Sequence, residues 1–143
     1  MAHVRSQIRD AVATALSSAL GVTVKRTRVY ALSSSNTLTY SVYTRGVERV
    51  SQRTSSYILR ELPVTVDIIA GDDTAALDDL IDDKCAVAEA TLGASKLGGL
   101  VRDLYLDTTE MTFDGTGDIP MGIARMTFMA VYGTTRVDAE NVA

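Results

Sequence analysis

SYILRELPVTVDIIAGDDTAALDDLIDDKCAVAEATLGASKLGGLV, residues Ser56–Val101, reads as a long strand, an acidic amphipathic helix and a glycine turn into the next strand. Ile58, Leu62, Val64, Val66 and Ile68 alternate onto one face of the strand, with Arg60 the exception. Tyr57, Leu59, Glu61, Thr65 and Asp67 take the other. Pro63 has no amide proton to give a ladder, so the strand is expected at a sheet edge or bulged there. Leu77, Leu80, Ile81, Cys85, Ala88 and Leu92 recur every three or four residues, the stripe of a helix with one buried side. Asp72 or Asp73 can cap its free amides, and their charge suits the positive end of the helix dipole. Gly93, Gly98 and Gly99 end it. Strand, helix and strand in this order predict a right-handed parallel crossover.

Upstream, residues 3–20 carry Val4, Ile8, Ala11, Val12, Ala15, Leu16 and Ala19 on one helical stripe, stopped by Gly21. Residues 22–32 read as extended and include the basic run Lys25-Arg26-Thr27-Arg28; residues 33–36 are a loop. Leu38 to Thr44 alternates as a strand, Arg45-Gly46 starts a turn, and Val47 to Thr54 suits a short strand or a mobile loop. Downstream, Leu100 to Phe113 is a strand and residues 114–120 are a loop. Met121 to Tyr132 is apolar on both faces, which suits a central strand. The expected fold is α+β: one mixed, mostly antiparallel sheet of about five strands with two amphipathic helices on one face. It forms a single domain over residues 1–133, followed by a polar tail, 134–143, loose in isolation.

The chain has 143 residues with 46% hydrophobic content, enough for one ordinary core. Its single cysteine, Cys85, rules out an internal disulfide, fits a reducing compartment and reads as a buried inert thiol. No segment approaches the roughly 20 apolar residues of a membrane span. The net charge of −4 hides an asymmetry: the chain through Leu62 carries +6 and the remainder −10. Opposite charges on opposite surfaces would let copies pack head to tail; the alternative is that the halves interleave and cancel.

The inventory argues against catalysis. His3 is the only histidine and lies at a terminus, so zinc spacings and a Ser/His pair are missing. The carboxylates of Asp78, Asp79, Asp82 and Asp83 diverge around a helix, and residues 114–118 lack the terminal glutamate of a calcium loop. Gly93-Ala-Ser-Lys-Leu-Gly98 has the length of a phosphate loop but follows a helix instead of opening one. Lys25-Arg26-Thr27-Arg28 is too short a basic footprint for nucleic acid in an acidic chain, and reads as a charged strand edge. No catalytic, metal or cofactor-binding residue is expected. The helix acids are either a solvated face or a face turned toward a basic partner.

Several phrases, in order, carry a resemblance: Ile8-Arg9-Asp10-Ala11-Val12; Arg60-Glu61-Leu62-Pro63-Val64-Thr65-Val66-Asp67; Leu77-Asp78-Asp79-Leu80; Leu97-Gly98-Gly99-Leu100-Val101; and Gly117-Asp118-Ile119-Pro120-Met121-Gly122 leading into Met126-Thr127-Phe128. Taken together the chain resembles the tail terminator (tail completion, minor tail protein U-like) family of long-tailed bacteriophages. The resemblance implies a non-enzymatic virion protein that assembles in the host cytoplasm and forms a homo-hexameric ring at the head-proximal end of the tail. It stops polymerisation of the tail tube protein and offers a surface to the head connector. DNA passes through such a ring without sequence-specific contacts. A head-tail joining protein of the neck is similar in size, and a small-ligand-binding α+β domain is the reading from another class. Under the ring reading, Arg45, Arg49 and Arg53, on a flexible basic loop, meet Asp78, Asp79, Asp82 and Asp83 of the next copy or of a tube subunit.

Overall fold

A computed structural model describes residues 2–26, 38–44, 46–71, 77–93, 95–114 and 121–143. Helix α1 (Val4–Leu20) is followed by strands β1 (Leu38–Tyr43), β2 (Arg49–Arg53) and β3 (Tyr57–Gly71). Helix α2 (Leu77–Leu92), a 3-10 turn at Leu97–Gly99, β4 (Asp103–Asp114) and β5 (Met121–Thr135) complete the fold. It is α+β, with five strands in one antiparallel sheet of order β1-β3-β5-β4; β2 pairs with the near half of β3, on the edge that β1 occupies along its far half.

The long alternating strand places Leu62, Val64, Val66, Ile68 and Ala70 in one core with Ala124, Met126, Phe128, Ala130 and Tyr132 of β5. The α1 stripe (Val4, Ile8, Val12, Leu16) and the α2 stripe (Leu77, Ile81, Cys85, Ala88, Leu92) close that core from the same side. Gly21 ends α1 in the left-handed region, φ 70°, which glycine adopts without a Cβ penalty, and its amide bonds the Ser17 carbonyl. Cys85 is buried on the α2 stripe, and burial, with Asp82 and Glu89 nearby, pushes its thiol up to about 11.

Three expectations change. Strands β3 and β4 do run parallel, but β5 lies between them and pairs antiparallel with both, so the β3-α2-β4 crossover spans an inserted strand. Pro63 sits in an interior strand, without a bulge in its β5 ladder; it falls between the β2 ladder, which ends at Glu61, and the β1 ladder, which begins at Thr65. The missing amide proton therefore faces a local break in the neighbouring edge. Beyond residue 133, β5 continues to Thr135 and the tail folds back: Ala139 accepts from the Val4 amide, Glu140 accepts from the Gln7 side chain, and Ala143 donates to Gly133. The expected cap at Asp72 or Asp73, residues 27–32 of the extended segment, the 33–36 loop and residues 115–120 lie outside the described residues.

Candidate functional site: charged ends and two polar clusters

Strand β2 is exposed along its whole length, so Arg49 and Arg53 belong to a strand and not to a flexible loop. A bulge between Val50 and Gln52 breaks the alternation. Arg49 pairs with Glu61 and shares its side of the sheet, away from the helices, whereas Arg53 pairs with Ile58 on the helix side. Arg45 lies outside the described residues. Asp78, Asp79, Asp82 and Asp83 are all exposed on α2, two pairs one turn apart around the buried Ile81.

The structure holds the two sets apart. Ile81 packs over Gly122, the β5 partner of Ala70, whereas Arg53 is the partner of Ile58 on the same strand. Ile58 and Ala70 are separated by twelve residues of β3, about 40 Å of extended chain. Arg49 and Arg53 stand at one end of the sheet and the α2 acids at the other. At that distance they do not neutralise one another within a chain, since screening in physiological salt acts over ~8 Å.

Two polar clusters were not evident from spacing. The first gathers around Glu48, whose side chain is 14% exposed. It accepts from Arg60 Nη1 at 3.4 Å and from the Tyr132 hydroxyl, and Arg5 Nη1 lies 3.6 Å away. The Arg60 guanidinium also stands 5.8 Å from the centre of the Tyr132 ring. This explains why a charged residue interrupts the apolar face of β3: its cation is paired with Glu48 and stands over an aromatic ring. Burial, and then the bond to Glu48, raise the Tyr132 phenol well above its ordinary value. His3 caps α1 by accepting the Arg5 amide at Nδ1, 3.0 Å away. His3, Arg5, Ser6, Arg9, Thr44, Gly46, Glu48 and Leu62 line an open cleft of about 260 Å³ beside this cluster.

The second cluster lies on the face of the sheet away from the helices. Asp67 is fully buried and accepts from Arg125 Nε at 3.0 Å, Arg125 Nη2 at 3.4 Å and the Tyr43 hydroxyl at 2.9 Å. The bond to Asp67 holds the Arg125 guanidinium protonated more firmly, against the opposing pull of burial. Arg125, the direct cross-strand partner, thus neutralises a charge that would otherwise be costly inside a sheet face, and the Tyr43 hydroxyl adds a hydrogen bond. Among the described residues no group of three or more His, Cys, Asp or Glu side chains could hold a metal ion, and no helix is long and apolar enough to cross a membrane.

No protein-family model and no curated protein matches the chain. A solved structure does: a chain of "Virion of native gene transfer agent (GTA) particle" superposes with a TM-score of 0.61 and 16% identity, over 89% of this chain and 95% of that one. The likeness runs through nearly the whole of both chains, and what it establishes is a shared fold.

Proposed function

We propose that this chain is a structural protein of a phage-like virion and, more narrowly, a tail terminator: a homo-hexameric ring that caps the tail tube, stops its growth and presents a docking surface to the head connector. The observation that carries the reading is the fold shared, over 89% of the chain, with a protein of a gene transfer agent virion. The charge layout supports ring assembly. A ring is built from heterologous contacts, in which one surface meets a different surface of the next copy. Arg49 and Arg53 at one end, with Arg45 beside them in the sequence, and Asp78, Asp79, Asp82 and Asp83 at the other, are such a complementary pair. In this reading the protein acts by binding and carries out no reaction. Its partners are its own copies, the tail tube protein and the head-completion or connector protein, with DNA passing through the bore.

A head-side neck protein draws on the same shared fold, because the neighbour's name gives a particle and not a position within it. The two readings part on what the purified protein binds. A tail terminator sediments with headless tails and caps one end of each; binding to tailless heads alone would replace the terminator reading with the neck reading.

A further inference from the structure

The cleft at the start of α1 holds more cation than anion, and the imbalance falls on Arg9. Among the described residues Glu48 is its one carboxylate, and Arg5, Arg60 and Tyr132 already share it. Arg9 is partly buried, and among the described residues its guanidinium has no carboxylate within ion-pair distance. Nη2 reaches the Ser6 hydroxyl at 3.3 Å, Nη1 reaches the Thr44 hydroxyl at 3.5 Å, and the buried Nε has no partner. These are long bonds to neutral groups from a side chain with five donors in a planar fork. A half-desolvated guanidinium without an anion is an expensive arrangement, and one whose natural complement is a bidentate carboxylate. The helix terminus itself is not the attraction, since the amides of Val4, Arg5, Ser6 and Gln7 are all bonded within the chain.

From this geometry we propose that the Arg9 cleft is a carboxylate-binding site, with Arg9 as the fork and the half-exposed Arg5 as the second cation. A monocarboxylate suits it better than a phosphate dianion. Glu48 forms one wall, and an anion of higher charge meets more repulsion from that carboxylate. The carboxylate has two possible sources: a free small acid, or an aspartate or glutamate side chain of a second copy of this chain. The site does not depend on the ring, because Arg9 and Arg5 belong to one chain.

Side-chain nitrogen NMR of the intact protein tests this directly. Sodium acetate, added against sodium chloride at matched ionic strength, is expected to give a saturable shift of the Arg9 Nε–H signal and of the Ser6 and Gly46 amides. The amide shifts should be lost in Arg9→Gln and weakened in Arg5→Gln, whose side chain is 45% exposed and outside the core. A well-dispersed amide spectrum certifies that each variant is folded. A concentration series without acetate then separates the sources. The same shifts on raising protein concentration, removed by changing Asp78, Asp79, Asp82 and Asp83 to Asn, assign the carboxylate to a second copy; their absence assigns it to a free acid. Chloride reproducing the acetate shifts, Arg9→Gln retaining the amide shifts, or no response to acetate would overturn the proposal.

Discussion

His3 does two jobs, one at each ring nitrogen. Its Nδ1 accepts the Arg5 amide and so caps α1, and its ring sits against Arg5, Arg60 and Glu48. Burial and the two arginines hold the imidazole below its ordinary pKa, outweighing the upward pull of Glu48. The folded chain therefore binds fewer protons here than the unfolded chain. The contribution of His3 to stability is complete above the ordinary histidine pKa of about 6.5 and falls as pH drops below it, toward the folded value. Urea midpoints between pH 7 and pH 5 should decline more in the parent than in His3→Asn, which keeps a capping side chain that does not titrate. Equal slopes would mean that the ring protonates as freely in the fold as outside it. None of this was legible in the sequence, where His3 is a lone terminal histidine. A cap at residue 3 is a local feature, but its neighbours Glu48 and Arg60 arrive through the sheet. The Asp67, Arg125 and Tyr43 cluster was hidden for the same reason: 58 residues separate the carboxylate from its guanidinium.

At the scale of elements, alternation located β1 and β3 and helical spacing located α1 and α2, because burial of a face leaves a period in the sequence; β5 was legible as a run apolar on both faces. Strand β2 leaves no such period: all five residues are exposed and a bulge interrupts the ladder, so its sequence suited strand or loop equally. Strand pairing was less legible than strand existence. Nothing local to β3 or β4 says that β5 enters between them, and that insertion turns an expected parallel pairing into two antiparallel ones. Gly122 shows what the insertion requires. A methyl group there would overlap Ile81 Cδ1 of α2 and come within 2.9 Å of the Phe113 ring on β4, so a residue without a side chain lets α2 lie close on β5. Gly122→Ala should destabilise the fold by about 1–3 kcal/mol, the usual range for overpacking a filled core. A urea titration reads the change; an unaltered midpoint would show that α2 can move off the sheet at no cost.

For the whole molecule, the sum of charges said little and their order along the chain said more. The +6 and −10 halves could have interleaved in space. The halves do pack together, yet the antiparallel register puts β2 at one end of β3 and the start of α2 over the other, so these two charged sets stand apart. Changing Arg49 and Arg53 to Glu should weaken self-association, most strongly at low salt, where surface charge is least screened. Mixing that variant with one carrying Lys at Asp79 and Asp83 should restore assembly of the mixture, as measured by sedimentation. Failure of both arms would remove this contact from the proposed ring while leaving the fold untouched.

The central claim is that this polypeptide works by joining copies of itself on the end of a tube. Light scattering across a concentration series, with electron micrographs of the protein alone and with purified tail tubes, addresses it most directly. The account predicts rings of six chains, free in solution or seated as caps at one end of the tubes. A strict monomer at every concentration, with bare tube ends in the mixture, would contradict it.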